Sequence, residues 1–423
     1  MHGTMLHRTS LLILSMILVI VSQQAVAQAG HLDPTFGQGG IVTTDFGIQT
    51  QSGNTALANA AVVQPDGKIV VVGGVPSHTG FPIAAVARYN SNGSLDTTFG
   101  SSGVVSISTL EAIPFTSVTL QSDGKIVAVA GGFDASVVRF TAAGVLDSTF
   151  GTGGIVTLDF NQGPSGSGDL VLSNGNILLA NGKLIQLLPS GALDTSFGSN
   201  GAARTAGFGA TALALLPSGM ILVTSSQTPS GFLSRYDSNG TLDTTFGIGG
   251  QSASPGTAPG LALLSSGDFI VGGSLTNNVP LPGNGLATVS FAVSRYLSSG
   301  IMDSSFGTNG GTTTPVPNYV EVATSGLGVD PGGNTVLLGT TNQTGVNAFA
   351  LARYTSSGQL DTSFGSNGIV VTTFGGGIQS PSVSANGLTI QSDGKIVVVG
   401  NYSVFVPRQG FDTAFKIIRY LGQ

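Results

Sequence analysis

The stretch "RYNSNGSLDTTFGSSGVV", Arg88–Val105, is written again as "RFTAAGVLDSTFGTGGIV" (139–156), "RYDSNGTLDTTFG" (235–247), "RYLSSGIMDSSFG" (295–307) and "RYTSSGQLDTSFGSNGIV" (353–370). Its "LDxTFG" part starts seven times, at Leu32, Leu95, Leu146, Leu193, Leu242, Met302 and Leu360. A turn between two apolar runs also occurs seven times, at Asp66-Gly67, Asp123-Gly124, Asn174-Gly175, Ser218-Gly219, Ser266-Gly267, Gly332-Gly333 and Asp393-Gly394. The "RY" marker supplies Arg88, Arg139, Arg235, Arg295, Arg353 and Arg419, with Gln186-Leu187 in that place in the third unit. Self-similarity at this spacing signals a repeat architecture.

Each unit reads as four strands. In the first, "ALANAAVVQ" is an apolar strand and "PDGK" turns it, since Gly tolerates the positive φ that a hairpin turn needs. "IVVVGG" returns with the unbroken apolar run of a strand buried on both faces. "AAVARY" is the third strand, "NSNG" a turn, and "GVVSIS" the fourth. Seven such units predict an all-β, seven-bladed β-propeller of four-stranded antiparallel blades. The chain starts at the end of a unit, "HLDPTFGQGGIV", and stops at "FKIIRYLGQ", lacking that end. The N-terminal strand is therefore expected to complete the seventh blade and cover its edge.

The phrase itself reads as a corner piece. Asp suits the first position of a type I turn, and its carboxylate accepts a backbone N–H two residues on. The corner aspartates are Asp33, Asp96, Asp147, Asp194, Asp243, Asp303 and Asp361. The phenylalanines that follow are Phe36, Phe99, Phe150, Phe197, Phe246, Phe306 and Phe364; with no Trp in the chain, they are the expected wedges between blades. Each buried ring contributes about 1.5–3 kcal/mol. The Arg of "RY" precedes the Asp by eight residues across a turn, which predicts pairs such as Arg88–Asp96, and Arg419 with Asp33 across the closure.

"LDxTFGxxGxV" with "QxDGKIVVVG" and "RY" resembles the delta-60 repeat, a bacterial β-propeller family of unknown function, over nearly all of residues 31–423. The blade order is also similar to NHL-type propellers. The resemblance implies a propeller and an exported protein, and no activity. The third unit departs most, with Gln186 for Arg and Asn174 for Asp.

Composition agrees with short strands and tight turns: 423 residues, 65 Gly, 18 Pro, no Cys and 8% charged residues. Residues 1–27 carry Arg8, an apolar run from Leu11 to Val21 and an Ala25-Val26-Ala27 site, the pattern of a cleavable signal peptide. The expectation is a single propeller over 28–423, exported to the periplasm, the cell surface or the medium, with no membrane span once the signal is removed. No basic stripe is present, which argues against nucleic acid as partner.

Chemistry is sparse. Only His31 and His78 lie beyond the signal segment, and Glu occurs only at Glu111 and Glu321. Neither a metal site nor a Ser-His-Asp triad is expected from two separated histidines, and no cofactor is expected. Asp169 is the single acid in a row of apolar first-strand positions (Ala61, Val118, Leu213, Leu261, Leu327, Leu388), which makes it the weak catalytic candidate; an ion pair with Lys183 or Arg204 is the alternative. "DSNGTLD" places Asp237 as a weak calcium candidate, but the sister turns lack its first oxygen ligand. Strand alternation puts the uniform turns on one face and the second-to-third-strand loops on the other. The latter vary (74–82, 274–289, 340–347 and 401–413) and hold Phe81, Tyr402, Phe405, Arg408 and Phe411, the candidate binding face. The expected function is a non-catalytic interaction or cell-surface scaffold whose partner is a protein or a glycan. The alternative is an extracellular hydrolase or lyase acting on a polysaccharide at the variable-loop face.

Overall fold

The computed structural model describes residues 28–46, 56–131, 134–159, 168–171, 175–180, 183–205, 210–225, 231–254, 257–277, 288–319, 321–343, 346–374, 381–407 and 410–423. Among them every regular element is a β-strand, and the strands form seven four-stranded antiparallel sheets. Blade 1 consists of Leu57–Val63, Ile69–Val75, Ile83–Tyr89 and Val104–Glu111 in that spatial order. Blades 2 to 6 repeat the order over 115–159, 168–204, 210–254, 257–314 and 321–373. First strands of successive blades contact one another all the way round, blade 7 meeting blade 1, so the ring is closed.

Blade 7 takes three strands from the C-terminus, Ser382–Ile390, Ile396–Val406 and Gly410–Tyr420, and its outer strand, Ile41–Asp45, from the N-terminus. Ile41 faces Ile418 and Asp45 faces Ala414 in this pairing, and Leu32 bridges Tyr420. The two chain ends zip by backbone bonds, Asp33 N–H to Arg419 O at 2.8 Å and Leu421 N–H to His31 O at 2.8 Å. Pairing both free edges this way leaves no inner strand exposed to edge-to-edge association.

The core is seven apolar clusters, one per seam between blades. Val397, Val399, Phe415 and Ile417 of blade 7 pack with Ile69, Val71, Ala85 and Ala87 of blade 1 around Phe36. The second strand of each blade is buried on both faces, as Ile69–Val75 shows along its whole length, because it is flanked by strands on both edges and blades on both sides. The corner phenylalanine lies over the turn glycine of the next blade. A Cβ on Gly144 would stand 2.7 Å from the Phe99 ring, and its φ of 83° already favours glycine.

Three stretches of the variable face differ from the sequence reading. Residues 274–277 with 288–289, 340–343 with 346–347, and 401–406 with 410–413 fall in expected loops but continue the second and third strands: Asn277 pairs Thr288, Thr340 pairs Phe349, and Tyr402 pairs Ala414 up to Val406 with Gly410. Thr, Val, Tyr and Phe dominate these stretches, and such residues suit a ladder better than an open loop. Residues 1–27, Asn174, Asn181, 278–287 and Arg408 lie outside the described residues.

Candidate functional site

The turn face is built from one corner repeated. In blade 1, Arg88 Nε donates to Asp96 Oδ2 at 2.8 Å, its guanidinium stacks 4.5 Å from the Phe99 centroid, and Nη1 donates to Ala142 O of blade 2 at 2.5 Å. A planar fork with several donors is what allows one side chain to do all three. The pattern recurs with Arg139 to Pro189 O, Arg235 to Ser298 O, Arg295 to Ser356 O and Arg353 to Gly422 O. Arg419 pairs Asp33 at 2.8 Å and reaches Ser91 O of blade 1 at 2.5 Å. Thus the structure brings together the six arginines with Asp33, Asp96, Asp147, Asp243, Asp303 and Asp361.

In the third unit Gln186 Nε2 donates to Asp194 Oδ2 at 2.7 Å, and the Gln186 amide oxygen is buried without a donor. A hydrogen bond replaces the ion pair, and no side chain crosses from Gln186 to blade 4. The backbone bond from Gly198 N–H to Asn239 O, present in equivalent form at the other seams, remains.

Electrostatics at the corners follow from local donors first. The Thr98 hydroxyl beside Asp96, with burial opposing and the Thr98 N–H, Lys68 and Arg88 helping, holds its carboxyl well below the usual range. The Thr149 hydroxyl does the same for Asp147, held at about 2. Asp194 is also lowered, by Ser196 and then Gln186. Blades 7, 1 and 2 add a lysine to the corner: Lys68 stands 3.2 Å from Asp96 and Lys125 3.6 Å from Asp147, while Lys395 stands 2.7 Å from Asp393 and 4.0 Å from Asp33.

Several seam residues carry little signal in the sequence. The Tyr of "RY" reaches backward while its Arg reaches forward: Tyr89 OH shares a 2.7 Å bond with Thr44 Oγ1 of blade 7, Tyr420 OH one of 2.7 Å with Thr372 of blade 6, and Tyr296 OH donates to Ala253 O of blade 4. Around the axis, Asn59 Nδ2 donates to Phe115 O of blade 2 and Asn386 Nδ2 to Ala58 O of blade 1, each Asn sitting at a β-bulge of its first strand. The only sequence signal for these was Asn at one offset in "ANAAVV" and "ANGLTI".

Other candidates separate. Asp169 pairs Leu179 in the backbone ladder, and its side chain lies outside the described residues. Asp237 Oδ1 accepts the N–H of Asn239 at 3.2 Å and of Thr241 at 2.7 Å, so it closes its own turn. Among the described residues no three His, Cys, Asp or Glu side chains converge on a metal-sized site. His31 and His78 are exposed, in different blades. Among the described residues no helix is long and apolar enough to cross a membrane.

On the opposite face, Phe81 is 57% and Phe405 45% exposed, on the adjoining blades 1 and 7. Ser77 Oγ donates to Phe81 O at 2.6 Å and so shapes the Phe81 loop. The Phe405 and Phe411 rings meet edge to face at 5.4 Å between centroids. Tyr402 lies under the Lys416 ammonium at 4.4 Å, and Lys416 Nζ also donates to Thr43 Oγ1.

No curated protein matches the sequence. Among solved structures, Drosophila Semaphorin 2a aligns with a TM-score of 0.50 and 9% identity over 89% of this chain and 75% of its own. A polysaccharide lyase of family PL25, an ulvan lyase, aligns at 0.48 and 12% over 88% of this chain and 95% of its own. A protein of unknown function from Bacteroides caccae aligns at 0.36 and 12% over 65% and 98%. At such identities the likeness concerns the fold alone. Residues 64–99, 121–150, 216–246, 333–364 and 391–421 match the family described as "Domain of unknown function (DUF5122) beta-propeller". Four of the seven corner aspartates, Asp96, Asp147, Asp243 and Asp361, and the closing Arg419 fall in those matches, and the chain is a seven-bladed β-propeller whose repeats are similar to that family.

Proposed function

We propose that the protein is an exported, non-catalytic scaffold that presents its loop face to a protein or glycan partner. The observation that carries this reading is the pair of exposed aromatic rings, Phe81 and Phe405, on adjoining blades at one face. Exposed aromatics of this kind are enriched in binding surfaces, and here they stand at one end of a closed ring of blades. The acids are spent differently: Asp66, Asp123 and Asp393 each accept the N–H of the lysine two residues on at 3.1 Å, and the seven corner aspartates serve the seams. The basic start, apolar run and Ala25-Val26-Ala27 site of residues 1–27 support export.

Screening the protein on protein and glycan arrays tests the reading. Capture that falls in a Phe81→Ser/Phe405→Ser double variant, with an unchanged melting transition, supports it. Capture that ignores both rings overturns it. The hydrolase or lyase alternative is tested in parallel with Asp169→Asn: polysaccharide cleavage by the parent and none by the variant would replace the scaffold reading.

A further inference from the structure

On the turn face, away from Phe81 and Phe405, a cleft of about 650 Å³ runs between blades 7 and 1. This is within the range of small-molecule sites. Gln64 and Gln391 line it, 9% and 8% exposed, and the amide oxygen of each is buried without a hydrogen-bond donor. Val63, Pro65 and Ile390 supply apolar wall. The charges cancel: Lys395 stands 2.7 Å from Asp393 and Arg419 2.8 Å from Asp33.

The repeat supplies its own control. The matching cleft between blades 5 and 6, about 440 Å³, has Leu264 where Gln391 stands and Asp330 where Gln64 stands. There both Asp330 oxygens hold donors, the Asn334 N–H at 2.9 Å and its amide at 3.0 Å. Where the position is glutamine, at Gln64, Gln391 and also Gln121 of blade 2, the amide oxygen is buried without a donor, and an unpaired buried acceptor is unfavourable; the cleft between blades 7 and 1 is lined by two of the three.

We propose that the cleft between blades 7 and 1 binds an uncharged saccharide, whose hydroxyls donate to the amide oxygens of Gln64 and Gln391. Acceptors without donors select a donor-bearing ligand. Cancelled charge removes any preference for a strongly anionic or cationic one. The mixed wall lets the C–H face of a sugar ring pack on Val63, Pro65 and Ile390. The terminal amide torsion of glutamine is broad, so the oxygen turns toward the cleft without leaving a rotamer well.

Calorimetric titration with cellohexaose, maltohexaose, xylohexaose and laminarihexaose, with an oligogalacturonate for comparison, tests this. The expected result is binding of at least one neutral oligosaccharide, weakened at least tenfold by Gln391→Leu and by Gln64→Leu. The melting transition should hold or rise, because Leu216 and Leu264 occupy this position in blades 4 and 5. Phe405→Ser should leave this binding unchanged. No binding of any neutral oligosaccharide, binding that survives both leucines, tighter binding of the oligogalacturonate, or loss in Phe405→Ser would each overturn the proposal; the last would move the ligand to the loop face.

Discussion

The seam between blades 7 and 1 joins residues from opposite ends of the chain, whereas the seam between blades 3 and 4 joins neighbours in sequence. The first nevertheless carries the fuller set of contacts. Arg419 neutralises Asp33, stacks 4.5 Å from the Phe36 centroid and caps Ser91 O of the next blade. Gln186 does one of these jobs, the bond to Asp194. The 3–4 seam still has its apolar cluster around Phe197 and its backbone bond from Gly198 to Asn239. Apolar packing is therefore sufficient to align two blades that the chain already connects. The ionic clasp matters most within blade 7, where Arg419 and Asp33 come from opposite ends of the chain and no short covalent link joins their strands.

The comparison can be broken first at the rings. Phe197→Ala and Phe306→Ala should each lose about 3–5 kcal/mol in chemical denaturation, the range for emptying a buried aromatic site. A loss under about 1 kcal/mol at Phe197 would mean that something other than its ring holds the 3–4 seam. Next, Arg419→Gln copies the blade 3 corner into the closure. It retains a donor to Asp33 and removes the cap on Ser91 O, so a loss of about 2 kcal/mol is expected. Unchanged stability would make the two seams equivalent.

Acid is a gentler probe of all seven corners together. The folded-state pKa values of Asp147 (about 2), Asp96 and Asp194 lie below the ordinary 3.8. A depressed carboxylate contributes stability above its unfolded pKa and loses it as pH falls toward the folded value. Denaturation midpoints should hold near neutral pH and decline from about pH 4 toward pH 2. Because Ser196 and Gln186 lower Asp194 without an arginine, replacing Gln186 should not abolish the decline. A midpoint flat between pH 5 and 2 would remove the corner carboxylates from the stability account. The smallest effect is a gain. Gln186→Arg should stack on Phe197 and reach Ser238 O, the counterpart of Ser91 O, adding about 1 kcal/mol. No gain would show that the shorter third blade holds the new arginine out of reach.

Much of the fold could be read along the chain, and the reason is visible in single residues. Gly67 and Gly124 mark hairpin turns because their φ values, 82° and 84°, suit glycine. Asp33 with Thr35 marks a corner because the carboxylate bonds the N–H two residues on, at 2.9 Å. The loop face is less legible. Strand parity puts Tyr402, Phe405 and Phe411 at the loop end of blade 7, yet Ser403 and Asn401 read as turn residues in isolation and hide the strand pairing that carries them. Gln64 and Gln391 carry no signal in the sequence, because a glutamine before a turn reads as solvated until the neighbouring blade is in place.

The sequence alone determined the number of blades, their four-strand order and the mutual completion of the two ends. Those properties rest on turn chemistry and alternation among residues a few positions apart, repeated in a fixed phase. Tertiary structure alone decided that each arginine reaches forward and each tyrosine of the "RY" pairs at Tyr89, Tyr296 and Tyr420 reaches back, and that two amides are sealed at the blade 7–1 cleft. Those contacts join residues tens to hundreds of positions apart, and they depend on the angle at which twisted sheets pack around the axis, which no local pattern encodes.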